Sequence, residues 1–166
     1  MESQDQVLRF PLANTFSRQV FRYNTGELNV LMTYDSGAQI PVWCRSENLL
    51  KKAYPEAEKT DYFCDISGFG KETERTTVYV IPLFELSMNN VSFRIKNLLV
   101  ASLFKPSIGC DLLLSETMFS KTDTLTTRRS KRELTISFDN IARPFECTPI
   151  SINKEAASIT VWTQGN

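Results

Sequence analysis

Within Met32-Thr33-Tyr34-Asp35-Ser36-Gly37-Ala38, the side chain best placed to do chemistry is Asp35. It is a carboxylate at the end of an alternating apolar stretch, followed by a hydroxyl and a glycine. Asp-Ser-Gly is also ordinary turn chemistry. Its weight therefore rests on two downstream segments, Ser67-Gly68-Phe69-Gly70 and Ile108-Gly109-Cys110-Asp111-Leu112-Leu113. The chain contains no histidine, which excludes a Ser-His-Asp triad, a Cys-His pair and a histidine zinc site. A hydrolase built on this sequence would take its general acid and base from carboxylates, lysine, tyrosine or a metal held by oxygens. Paired carboxylates are the simplest of these options.

The 166 residues suit a single domain, 1–166, with a proper core. Lysine plus arginine and aspartate plus glutamate both number 19, so no bulk attraction to nucleic acid or anionic membrane is expected. The basic stretch Thr122–Arg132, with Arg128, Arg129, Lys131 and Arg132, reads as a solvated loop or linker. No apolar run approaches the roughly 20 residues a membrane helix needs, and Met1–Gln6 is polar and unlike a secretory signal. The expectation is a soluble, cytoplasmic protein with no nucleic-acid or membrane partner. Cys44, Cys64, Cys110 and Cys147 are too widely spaced for a zinc ribbon or a CxxC motif and are expected to be reduced and mostly buried. No metal and no cofactor are expected.

The elements that must position Asp35 follow from period and punctuation. Residues 1–15 carry little pattern. Phe16–Tyr23 and Leu28–Tyr34 read as strands around the turn Asn24-Thr25-Gly26, with Leu28, Val30, Met32 and Tyr34 at period two. This hairpin delivers Asp35 to its mouth. Ser46 is a good N-cap for a helix over Glu47–Tyr54, stopped before Pro55. Tyr62–Ile66 and Thr73–Ile81 predict a second hairpin with glycines at its tip. Val91–Lys96 alternates as a half-buried strand, and Leu98–Leu103 reads as a separate buried one. Leu112–Phe119 is a short helix candidate that Asp111 could cap. Leu134–Phe138 and Ser158–Thr163 predict two more strands around a loop, Asn140–Glu155. Many short strands with few helices predict an all-β sandwich or barrel.

These motifs, in this order, resemble the retropepsin-like aspartic proteases. That family's pattern is a strand ending in Asp-Thr/Ser-Gly-Ala, a flap hairpin, and an apolar-Gly-x-Asp/Asn-apolar-Leu segment opening a helix. The matching parts are Asp35-Ser36-Gly37-Ala38, the hairpin around Gly68-Phe69-Gly70, and Ile108–Leu113, so the resemblance spans residues 16–120. Residues 121–166 form a C-terminal extension, expected to add strands. Viral members often carry Arg where this chain has Cys110, and Asp where it has Gln39. The two form a salt-bridged support in such members, and their joint absence here implies a different support.

The resemblance implies a closed acid-protease barrel with one or two short helices, acting as an aspartic endopeptidase on a polypeptide substrate. With one Asp-Ser-Gly per chain, the second carboxylate would come from another copy, giving a homodimer with its site on the symmetry axis. Asp35 would be catalytic. Ser36 would hydrogen-bond across the dimer, Gly37 would offer an amide to substrate, and Ala38 would line the cleft. Gly68, Phe69 and Gly70 would form the flap, and Gly109 and Asp111 would support the site from behind. The alternative is a catalytically inactive β-barrel of the same type, serving as a dimeric binding or scaffold module.

Overall fold

The computed structural model describes residues 5–13, 19–35, 37–67, 74–104, 109–120, 123–128, 132–139, 143–145 and 159–162. The chain is all-β with little helix. Its strands are β1 (Asp5–Pro11), β2 (Val20–Asn24), β3 (Asn29–Asp35), β4 (Val42–Trp43), β5 (Glu58–Ser67), β6 (Glu74–Met88), β7 (Val91–Ser102), β8 (Leu112–Ser115), β9 (Thr124–Arg128), β10 (Glu133–Asp139), β11 (Arg143–Pro144) and β12 (Ile159–Trp162). One α-helix, α1 (Glu47–Ala53), and a 3-10 turn at Glu116–Met118 complete the described elements.

Nine strands form one sheet in the order β12-β5-β6-β7-β4-β8-β3-β2, with β11 on β7; β1-β10-β9 form a second, three-stranded sheet. The expected closed barrel is corrected here, because among the described residues both sheets end in open edges. The two sheets instead share a core. In β1, Leu8 and Phe10 are buried while Val7 and Arg9 face out, and Leu134, Ile136 and Phe138 alternate inward along β10. Phe10 stacks on Phe21 of β2 at 4.6 Å, and Phe138 meets Phe93 of β7 edge-on at 5.2 Å. Burying each such ring contributes on the order of 2 to 3 kcal/mol.

The β2–β3 hairpin and α1 form where the sequence places them. Gly26 turns the hairpin at φ 106, and Asn24 Oδ1 accepts the Gly26 N–H at 2.7 Å. The Ser46 hydroxyl accepts the Leu49 N–H, and Tyr54 ends the helix before Pro55.

Other expectations are corrected. Residues 1–15 contain β1, and the presumed loop Thr122–Arg132 contains β9; both are completed by pairing with β10. β7 is one strand, with Asn97 at φ 55 in its middle. The ladder with β6 skips there, between Ile81↔Leu98 and Leu83↔Lys96, where Pro82 has no N–H to give. The expected helix Leu112–Phe119 is strand β8 followed by the 3-10 turn. Leu112, Leu113 and Leu114 are buried on both faces, which turns a helix-like leucine run into a central strand.

Cys44, Cys64 and Cys110 are buried and free, while Cys147 lies outside the described residues. No described helix is long and apolar enough to cross a membrane.

Candidate active site

Asp35 is the last residue of β3 and is 6% exposed. β3 runs between β2, antiparallel, whose pairing with it starts at Val20↔Thr33, and β8, parallel, which reaches Asp35 itself. The register pairs Asp35 with Ser115, which is fully buried. The Gly37 N–H donates to Asp35 Oδ1 at 2.9 Å, and the Ala38 N–H donates to the Asp35 carbonyl at 3.1 Å. A carboxylate that accepts an amide two residues on is an Asx turn, which fixes its orientation as well as the loop.

The loop is tied to the end of β8. The Glu116 N–H donates to the Ala38 carbonyl at 3.3 Å, and the Thr117 hydroxyl donates to the Gln39 carbonyl at 2.8 Å. Ser115 and Thr117 share a hydroxyl–hydroxyl bond of 2.7 Å. Below the loop, the Thr33 hydroxyl donates to the Gln19 carbonyl at 2.8 Å. Tyr34, beside Asp35, packs edge-on against Phe119 at 5.7 Å. Burial, then the negative charges of Glu116 and Asp35, push its phenol pKa above the ordinary 10.0. Tyr34 is thus a neutral neighbour of the acid at any mild pH.

Asp111 lies one residue before β8, and β3 and the residues after β4 converge on it. Its Oδ2 accepts the Leu31 N–H at 2.9 Å, its own N–H donates to the Leu31 carbonyl at 2.8 Å, and its carbonyl accepts the Cys44 N–H at 2.8 Å. Arg45 Nε donates to its Oδ1 at 2.5 Å. Asp111 does not cap a helix, as the expected helix is absent; it braces the start of β8 against β3 and the residues after β4. Gly109 precedes it at φ 74, a left-handed conformation that suits glycine and aims the chain into the brace. Arg45 is the one residue of this brace that sequence reasoning missed. It stands 66 positions from its partner, and a lone base after a short strand gives no local sign of the pairing.

The β5–β6 hairpin is paired up to Ile66↔Glu74, with Asp65 and Arg75 joined by a 3.0 Å ion pair just below. Its tip, with Gly68, Phe69 and Gly70, lies outside the described residues, as does Ser36. β12 runs parallel to the outer edge of β5, from Ile159↔Cys64 to Trp162↔Ser67, so the extension flanks this hairpin.

The structure therefore brings Asp35, Gly37 and Ala38 together at one end of the β3–β8 pair and places Gly109 and Asp111 at the other. Among the described residues, no group of three or more Asp, Glu, Cys or His could hold a metal ion. A pocket of about 360 Å³ opens elsewhere, between the β2–β3 hairpin, the end of α1 and β6, and none of the five residues just named lines it. No family model matches the chain, and neither does any curated protein or solved structure.

Proposed function

We propose that the chain is an aspartic endopeptidase whose catalytic pair is assembled when two copies bring their Asp35 carboxylates together. The observation that carries this reading is the seating of Asp35: a buried acid at a strand end, oriented by the Gly37 amide, in a loop clamped to β8 and the 3-10 turn. Catalysis by paired acids needs such rigidity, since a displacement of about 1 Å can cost 100-fold in rate. The Arg45–Asp111 ion pair supports it further. It fixes the start of β8 against β3, at the far end of the pair that carries Asp35, in a chain whose Cys110 and Gln39 cannot form the viral type of support.

In this reading, two carboxyls about 3 Å apart cannot both ionise, so they share one proton. The ionised member removes a proton from water as the water attacks the peptide carbonyl, and the protonated member donates to the carbonyl oxygen. The apparent pKa values belong to the pair. Ser36 steadies the loop across the dimer, Gly37 holds Asp35 in orientation through its N–H while letting the backbone approach substrate closely, and Ala38 keeps its small side chain inside the loop. The hairpin tip at Gly68, Phe69 and Gly70 closes over that peptide and excludes water.

Incubation with a diverse peptide library between about pH 4 and 7, the range set by carboxylate-pair chemistry, tests the proposal. Wild-type protein is expected to cleave, and Asp35→Asn to fold and self-associate without cleaving. Absence of cleavage by wild-type protein overturns it in favour of the second reading, a binding or scaffold module. The pocket that Asp35 does not line favours that alternative.

A further inference from the structure

The pocket beside β6 has a chemistry of its own, independent of Asp35. Tyr23 of β2, Tyr54 and Pro55 after α1, and Pro82 and Leu83 of β6 supply its apolar surface. Its charged lining residues are Glu56 and Glu85, with no lysine or arginine among them. Its volume of about 360 Å³ is that of a small-molecule site.

Three features show that the walls are set in advance. The Tyr23 hydroxyl accepts the Ser87 N–H at 2.9 Å, which pins that ring to β6. Tyr54 caps α1 through its N–H to the Leu50 carbonyl, and its ring packs edge-on to Trp43 at 6.4 Å. The skipped rung at Pro82 and Asn97 opens β6 where the pocket forms.

Two further observations bear on an occupant. Leu83 is 49% exposed, an unusual position for a large apolar side chain in a strand. The Tyr54 hydroxyl is covered and has no hydrogen-bond partner among the described residues, a cost that a native structure normally avoids. Burial, and then the charge of Tyr23, raises the Tyr54 pKa far above its ordinary value, so this hydroxyl stays a neutral phenol. Glu56 and Glu85 form no ion pair among the described residues, although Arg94 stands opposite Glu85 in the ladder.

We infer that this pocket binds an organic cation carried on an apolar stem, an alkylammonium group being the simplest form. The stem lies along Pro55, Pro82 and Leu83, and the ammonium group meets the Glu56 and Glu85 carboxylates. The same chemistry is offered by a free amine and by a lysine side chain of another polypeptide.

Titration of the full chain with n-pentylamine, n-pentanol and an amidated glycine pentapeptide with one central lysine tests this, followed by tyrosine and Trp43 NMR signals. Pentylamine is expected to bind about tenfold or more tighter than pentanol, and the double variant Glu56→Gln, Glu85→Gln to erase that preference. Both substitutions are on exposed side chains and leave the core intact. Binding of the peptide as well as the amine assigns the pocket to lysine side chains, and binding of the amine alone assigns it to free amines. Equal affinity for amine and alcohol, no binding of either, or an unchanged preference in the double variant overturns the inference.

Discussion

Two buried aspartates stand at opposite ends of the β3–β8 pair, and their surroundings are unlike. Asp111, 9% exposed, is held by a guanidinium and by backbone groups from separate parts of the chain. Asp35, 6% exposed, is oriented by the amide of its own loop, and that loop is fixed through backbone and hydroxyl contacts to β8 and the turn after it. Burial alone does not distinguish a structural acid from a working one. Asp111 is restrained by groups distant in sequence, a guanidinium and the amide of another strand, whereas the Gly37 amide that restrains Asp35 comes from its own loop, as the proposed role in catalysis would require.

The comparison breaks most sharply on activity. Asp35→Asn is expected to lower peptide cleavage by about 1000-fold or more, the scale of general acid–base catalysis. The carboxamide oxygen can still accept the Gly37 N–H, so urea unfolding should shift by less than about 1 kcal/mol. A large loss of stability in this variant would make Asp35 structural, like Asp111.

Next in size is the reverse experiment. Asp111→Ala is expected to destabilise the fold by about 3 kcal/mol, because it strands a partly buried guanidinium and an amide at once. Arg45→Ala should cost less, about 2 kcal/mol, since the Leu31 amide keeps its acceptor. Both are read from urea unfolding. If Asp111→Ala left stability unchanged, the brace would have no energetic meaning.

Ser46→Ala sharpens the comparison by loosening α1, which follows Arg45 directly. Loss of the cap should cost about 1 kcal/mol in urea unfolding, without touching Asp35.

The smallest expected effect concerns Tyr34. Its phenol is raised first by burial, then by Glu116, then by Asp35. Removing the Asp35 charge lowers that pKa part of the way back toward 10.0, while Asp111→Asn leaves it where it is. The sign for stability follows: a Tyr pKa raised on folding contributes fully below pH 10.0, and that contribution is lost as pH rises through the folded value. An NMR pH titration of labelled tyrosine reads the shift.

Much of the Asp35 end was legible in sequence. Alternation at Val30 and Met32, the Asn24–Gly26 turn and the Ser46 cap are local signals, and they locate β3, its hairpin and α1. The Asp111 end was only half legible. Asp111 could be marked for support through a motif, but Arg45 could not, because the pairing exists only after β4 and β8 meet. Leu112–Leu114 misled because a strand buried on both faces has no alternation to show, and leucine also favours helix. β1 and β9 escaped for another reason. Val7–Phe10 alternates too briefly to stand out, and the threonines of β9 were overshadowed by the neighbouring basic residues. Each becomes a strand through β10, far away in sequence or on one flank only. The barrel failed as an expectation because closure depends on edges meeting in space, which no local pattern encodes.

A mixing titration tests the central claim most directly: wild-type chains are combined with increasing Asp35→Asn chains at constant total concentration, and peptide cleavage is measured after re-equilibration. A site shared by two copies predicts a fall with the square of the wild-type fraction, to about one quarter of full activity in an equal mixture. A fall in simple proportion, to about one half, would mean that each chain works alone and would contradict the shared acid pair.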